Sequence, residues 1–211
     1  MLTKEQLKIF GAFKKDIFAH LTFKQIKERS RQKSNNVVQI ALKQFQEENL
    51  VKVQKTGDVT AYFLNMDNNL ALSYLSLINE LEINENKKVP KKVLKDIQKR
   101  VSRFSDFFVL MVFGSYAKNK ATKRSDLDIA LIVDSEQSKK EIAPYIETIK
   151  RREIIKIDYH VFTRNEFVEM LTVDEENVGK EIYRKNIIYY GLTEYYNMIN
   201  GIQERAYRCT R

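Results

Sequence analysis

Asp126 and Asp128 stand two residues apart at the start of the hydrophobic run Leu127-Asp128-Ile129-Ala130-Leu131-Ile132-Val133. On a β-strand this spacing projects both carboxylates from one face while Leu127 and Ile129 point into a core. Two neighbouring carboxylates raise each other's affinity for protons, and desolvation adds to the cost of keeping both ionised. A divalent cation removes that cost. A second run, Ile154 to Phe162, alternates so that Ile155, Ile157, Tyr159 and Val161 share one face and Asp158 lies on the other. Three converging acidic side chains suit Mg2+, with Mn2+ as a substitute, because such ions prefer hard oxygen ligands and complete their shells with substrate phosphates. Two ions held by Asp126, Asp128 and Asp158 would serve phosphoryl or nucleotidyl transfer by clamping the attacking and the leaving oxygen. His160 shares the face of Asp158 and reads either as a structural histidine or as a group able to approach the site.

Phosphate transfer also needs a place for the phosphates. The apolar run Phe107 to Phe113 ends at Gly114-Ser115. A glycine there lets the backbone approach a triphosphate closely, and the serine can donate a hydrogen bond to it. Lys118, Lys120, Lys123 and Arg124 follow, with Ser125 next to Asp126, and Lys118, Lys123, Arg124 and Ser125 join Gly114 and Ser115 as candidate nucleotide contacts.

Gly114-Ser115, ten intervening residues, then Asp126-Leu127-Asp128 ahead of a hydrophobic strand resemble the signature of the DNA polymerase β nucleotidyltransferase superfamily, and most of all its minimal, prokaryotic-type members. The resemblance covers about residues 92–171. It implies a short mixed sheet with helices against it, Ser115 on the triphosphate of an NTP, Asp126 and Asp128 on two metals, and Asp158 at the metal where an acceptor hydroxyl loses its proton. The activity implied is transfer of a nucleoside monophosphate, with ATP the favoured donor. Where minimal members often have Arg-Gly, this chain has Lys118-Asn119, which keeps the charge and loses the glycine. Members with this spacing include antitoxins that adenylylate a tyrosine on a HEPN-type toxin, so a protein acceptor stands beside RNA and small molecules. A short helical tail ending in Ile-Ile-x-Tyr-Gly is also common among them, seen here as Ile187-Ile188-Tyr189-Tyr190-Gly191.

These residues need elements to position them. Strands over Phe107–Phe113, Leu127–Val133 and Ile154–Phe162, with helices near 92–101 and 138–151, give an α+β domain over 92–172. A tail, 173–211, is expected to be helical. Its tyrosines, Tyr183, Tyr189, Tyr190, Tyr195 and Tyr196, suit base stacking, a partner surface, or packing of a helix over the sheet. Upstream, residues 67–91 read as a helical linker with a polar break from Asn84 to Pro90.

Residues 1–66 begin with a helix from Thr3 to about Lys15, followed by a short helix capped by Thr22 and a third capped by Ser34 or Asn35. Two β-favouring runs, Leu50–Val53 and Thr60–Leu64, then flank a Gly57-Asp58 turn. Three helices and a hairpin resemble the winged helix-turn-helix domains that bind DNA. The resemblance implies that Arg31, Lys33, Asn35, Asn36, Gln39 and Lys43 face nucleic acid and that Lys52 and Lys55 reach phosphates from the wing. A solvated face or a protein docking module gives the same pattern. A regulator whose transferase-like domain only senses nucleotide is therefore the alternative to an enzyme.

The composition agrees with anionic partners. Net charge is +9, and residues 1–66 hold 12 Lys and Arg against 6 Asp and Glu. Cys209 is the single cysteine, which excludes an intrachain disulfide and a cysteine-based metal site. Neither a membrane span nor the apolar core of a signal peptide is found, so a soluble cytoplasmic protein without a membrane partner is expected.

Overall fold

The computed structural model describes residues 1–14 and 16–209, apart from the side chains of 202–209. Lys15, expected at the end of the first helix, and the side chains of Tyr207 and Cys209 lie outside the described set. The chain divides into two compact units, Met1–Leu81 and Glu82–Arg211.

In the first unit α1 (Lys4–Lys14), β1 (Leu21–Thr22), α2 (Phe23–Arg29) and α3 (Asn35–Glu47) precede the hairpin of β2 (Val51–Thr56) and β3 (Val59–Leu64), and α4 (Asn69–Glu85) begins in it. Local chemistry sets these starts. The Thr3 hydroxyl accepts from Gln6 N, Thr22 and Gln25 form a reciprocal capping box, and the Ser34 hydroxyl accepts from Val37 N. Ile9, Phe10, Phe13, Ile26, Val38, Leu42 and Phe45 form the buried centre, with Phe10 set edge-on against Phe45 at 5.1 Å. The expected sequence of three helices and a hairpin is present. Strand β1 was not anticipated: two residues are too few to carry a periodic signal, and only pairing with β3, in the order β1-β3-β2, defines it.

The second unit holds α5 (Lys91–Val101), β4 (Phe108–Val112), α6 (Gly114–Ala117), β5 (Leu127–Val133), α7 (Glu136–Arg152), β6 (Ile157–Thr163), α8 (Arg164–Thr172), α9 (Val178–Arg184), β7 (Ile187–Tyr190) and α10 (Leu192–Cys209). Its sheet runs β6-β5-β4-β7, with β5 and β6 parallel and the other pairs antiparallel. It is a mixed sheet, as the resemblance implied. Leu127, Ile129, Leu131 and Val133 of β5 lie in one core with Leu94 and Ile97 of α5 and Ile142, Ile146 and Ile149 of α7. The alternate residues Ala130 and Ile132 are buried too, which is why β5 reads as an uninterrupted apolar run. Strand β6 starts three residues later than the pattern suggested, and Ile154 is left fully exposed.

The C-terminal stretch is not helical throughout. Ile187–Tyr190 forms β7, an edge strand paired with β4. The β-branched pair Ile187-Ile188 favours a strand, but an apolar run this short does not separate the two periods. Gly191 then turns the chain at φ +78°, where a Cβ would lie 2.3 Å from Phe108 O. Tyr195 and Tyr196 are buried in α10, and Tyr190 stacks on Phe108 at 4.5 Å, so these three rings pack. Burial raises the hydroxyl pKa of both Tyr195 and Tyr196. Among the described residues no helix is long and apolar enough to cross a membrane.

Candidate active site

The parallel pairing of β5 and β6 is in register, with Leu127 opposite Ile157 and Asp128 opposite Asp158. Parallel partners face the same way on strands roughly 4.8 Å apart, so the Asp128 and Asp158 carboxylates stand side by side. One step earlier, Asp126 and Lys156 flank the Leu127 amide, which donates to Lys156 O at 2.7 Å. There Lys156 Nζ meets Asp126 Oδ2 at 2.7 Å. The sequence argument placed the carboxylates together without a counter-charge, and the structure corrects it: Lys156 supplies one to Asp126. Its signal was available, since Lys156 lies two residues before Asp158 and so on the same face of the strand.

Asp128 is held differently. Burial pushes its carboxyl above the ordinary aspartate range, the Ser115 backbone N–H donates to it and opposes that rise, and Asp158, Asp126 and Glu181 add to it. Gly114 explains how the carboxylate fits. At φ +61° this residue opens the one-turn helix α6, and a Cβ there would sit 1.9 Å from Asp128 Oδ2. The glycine therefore makes room for the Asp128 carboxylate, a role its sequence position did not disclose. Beside it the Ser115 hydroxyl oxygen is enclosed and has no hydrogen-bond partner among the described residues. An enclosed hydroxyl without a partner is costly, and a ligand oxygen would relieve that cost. Tyr116, next in α6, has its hydroxyl pKa raised by burial and then by Asp126 and Asp128.

Residues 95–190 match the family model of polymerase beta nucleotidyltransferases. No curated protein and no solved structure matches the chain. The match supports nucleotidyl transfer in general and spans β4 to β7, including the edge strand in the C-terminal stretch. Within this nucleotidyltransferase-like stretch the loop after α6 carries its cations unequally. Lys118 Nζ lies 3.4 Å from Glu181 Oε1 of α9, while Lys120, Lys123 and Arg124 are exposed. Glu181 thus borders the site from a helix more than 50 residues away, and no local motif announced it. The Ser125 hydroxyl accepts from Thr122 N at 2.9 Å and so is engaged within the loop. Asn119 adopts φ +53°, a conformation asparagine tolerates better than most residues. His160 stacks on Phe162 at 5.7 Å and lies 6.0 Å from Phe113, in an aromatic row beside Asp158.

Among the described residues no group of three or more His, Cys, Asp or Glu side chains is gathered to hold a metal ion. Asp126 is turned to Lys156. The donor chemistry nevertheless fits a hard divalent cation: Asp128 and Asp158 occupy paired positions on neighbouring strands, and the Asp128 carboxyl is raised first by burial and then by the carboxylates around it.

In the first unit, Arg31, Lys33, Asn35, Asn36, Gln39, Lys43, Lys52 and Lys55 are all exposed. Asn36, Gln39 and Lys43 lie along one side of α3 together with Ile40, which is 55% exposed. Three of the group have partners already: Asn35 accepts from Lys27 Nζ at 2.6 Å, Lys43 lies 3.8 Å from Glu47, and Lys52 pairs with Asp67 at 2.7 Å.

Proposed function

We propose that the second unit transfers a nucleoside monophosphate, AMP from ATP, to an acceptor hydroxyl and releases pyrophosphate. The observation that carries this is the meeting of Asp128 and Asp158 on neighbouring strands beside the Gly114-Ser115 turn, whose serine hydroxyl lacks a partner. Asp126, Asp128 and Asp158 would hold Mg2+, or Mn2+ in its place; bound there, the ions supply charge neutralisation for the triphosphate and lower the pKa of the acceptor hydroxyl. Ser115, Lys118, Lys123 and Arg124 hold phosphate oxygens, with Lys118 leaving Glu181 to do so. The acceptor oxygen bonds to the α-phosphorus, the bond from that phosphorus to the bridging oxygen breaks, and pyrophosphate leaves. Asp158, exposed to the arriving acceptor, takes the hydroxyl proton.

A tyrosine hydroxyl on a HEPN-type toxin is one acceptor that the resemblance to adenylylating antitoxins brings, beside RNA and small molecules. Purified protein incubated with Mg2+ and each labelled NTP, with and without cell extract, tests the proposal. Label moves to one protein band if the acceptor is a protein and to polynucleotide if it is RNA. Transfer that persists undiminished in Asp126→Ala and Asp128→Ala sinks the assignment.

A second reading makes the first unit a winged-helix DNA binder, with the transferase-like unit sensing nucleotide. It is favoured by the exposed polar side of α3 next to the hairpin. Full-length protein would then retard a specific duplex with a steep salt dependence, and a protein-docking module would retard none.

A further inference from the structure

Residues 86–90 connect α4 to α5, and the first three, Asn86, Lys87 and Lys88, read as an ordinary polar loop. Two of them are committed elsewhere. Asn86 is buried; its Nδ2 donates to Tyr116 O at 3.1 Å while its Oδ1 accepts from Lys88 N at 3.1 Å. Lys88 Nζ donates to Ala121 O at 3.0 Å and to Asn119 O at 3.3 Å. The three carbonyls so engaged span 116–121, the chain that leads from Ser115 past Lys118 and Lys120.

A solvated connection needs none of these bonds, and ordering a lysine side chain costs rotamer entropy. The loop they hold has something to be held against. Asn119 sits at φ +53°, and a residue with a Cβ stays in that region when its surroundings over-determine it. Lys120 N returns to Ser115 O at 2.9 Å, so the bend at Asn119 is tied directly to the residue with the unpartnered hydroxyl.

We propose that Asn86 and Lys88 are positioning residues that fix the Gly114–Ala121 turn in the conformation that receives the triphosphate. This rests on reading Ser115 as a triphosphate contact. Both residues precede the family match, which begins at residue 95, so the brace is a feature of this chain outside the matched stretch. Because α4 runs into Asn86, the brace also joins the last turn of that helix to the nucleotide turn.

The test uses full-length protein, with Lys88→Met and Asn86→Ala as variants and Lys88→Arg as the conservative control. Hydrogen exchange without nucleotide is expected to quicken over residues 116–121 in both variants, by about tenfold, with β5 unchanged. ATP affinity by calorimetry is expected to fall about fivefold or more, as loss of the hydrogen bonds that hold the turn implies, and to appear in KM with kcat nearly intact. Lys88→Arg restores both, since a guanidinium reaches the same two carbonyls. Unchanged exchange over 116–121 would overturn the brace, and faster exchange with undiminished ATP affinity would overturn its positioning role. Wild-type protein that binds no ATP fails the underlying nucleotide reading, before any variant is compared, and takes the triphosphate role with it.

Discussion

Asp126 and Asp128 are neighbours on one strand, yet β6 treats them oppositely. Across from Asp126 stands Lys156, which meets it at 2.7 Å; across from Asp128 stands another aspartate, with Glu181 adding further negative charge. Both are half-buried, but Asp126 has an ammonium beside it and Asp128 has only further carboxylates. The difference teaches that an Asp-x-Asp spacing does not by itself make two equivalent ligands, because each carboxylate answers to the residue across from it. On the proposed reading a cation would gain most at the inner pair, and Asp126 would have to give up an ammonium before binding one.

The largest effect should come from breaking the inner pair. Asp128→Asn is expected to lower nucleotidyl transfer by at least about 100-fold, the scale of losing a group that stabilises developing charge, measured by pyrophosphate release in a single turnover. The same change should raise the melting temperature of the metal-free protein at neutral pH. The sign follows from the pKa of Asp128, raised above 3.8 in the fold. Its favourable contribution is complete at pH values below the unfolded pKa and is lost as pH rises through the folded one, so at neutral pH the ionised carboxylate is a liability that asparagine lacks. A lower melting temperature in EDTA would contradict the view that Asp128 is uncompensated.

Gly114→Ala attacks the same pair from beneath. The new Cβ would lie 1.9 Å from Asp128 Oδ2 at φ +61°, so the carboxylate must move. A left-handed alanine costs roughly 1–2 kcal/mol, and transfer should fall about 10- to 100-fold once Asp128 is displaced; thermal melts and initial rates check the two parts. Changing the outer pair should do less. Lys156→Met frees Asp126 and is expected to tighten Mn2+ binding, read by electron paramagnetic resonance, by up to about fivefold, since exposed ion pairs are worth about 1 kcal/mol or less. Weaker binding instead would make Lys156 a support of the metal ligands.

The smallest effect lies in the loop. Asn119→Gly should change stability by no more than about 0.5 kcal/mol, whereas Asn119→Val at φ +53° should cost roughly 1 kcal/mol or more; denaturant midpoints separate them.

Particular elements show how much was legible. The run Leu127–Val133 coincides with β5 because both of its faces are buried and its apolar pattern is unbroken. Helix α3 was legible through Ser34 and its alternating buried side, both of which are local. Strand β7 was hidden, since Ile187–Tyr190 is short and takes its form from pairing with β4. Lys156 was readable in principle from strand alternation. Glu181 was not, because α9 brings it to the site through contacts distant in sequence.

What the sequence determined by itself were the carboxylates, their spacing, the Gly-Ser turn after an apolar strand, and the helices whose caps lie within four residues of their hydroxyls. Those depend on local periodicity and local hydrogen bonds. Tertiary structure decided which carboxylate is compensated, that Gly114 clears space for Asp128, and that Asn86 and Lys88 hold the turn beside Ser115. Each of these is a contact between segments well separated in the chain, set by strand register and packing, and among the residues involved only Lys156 gave a local signal, through strand alternation.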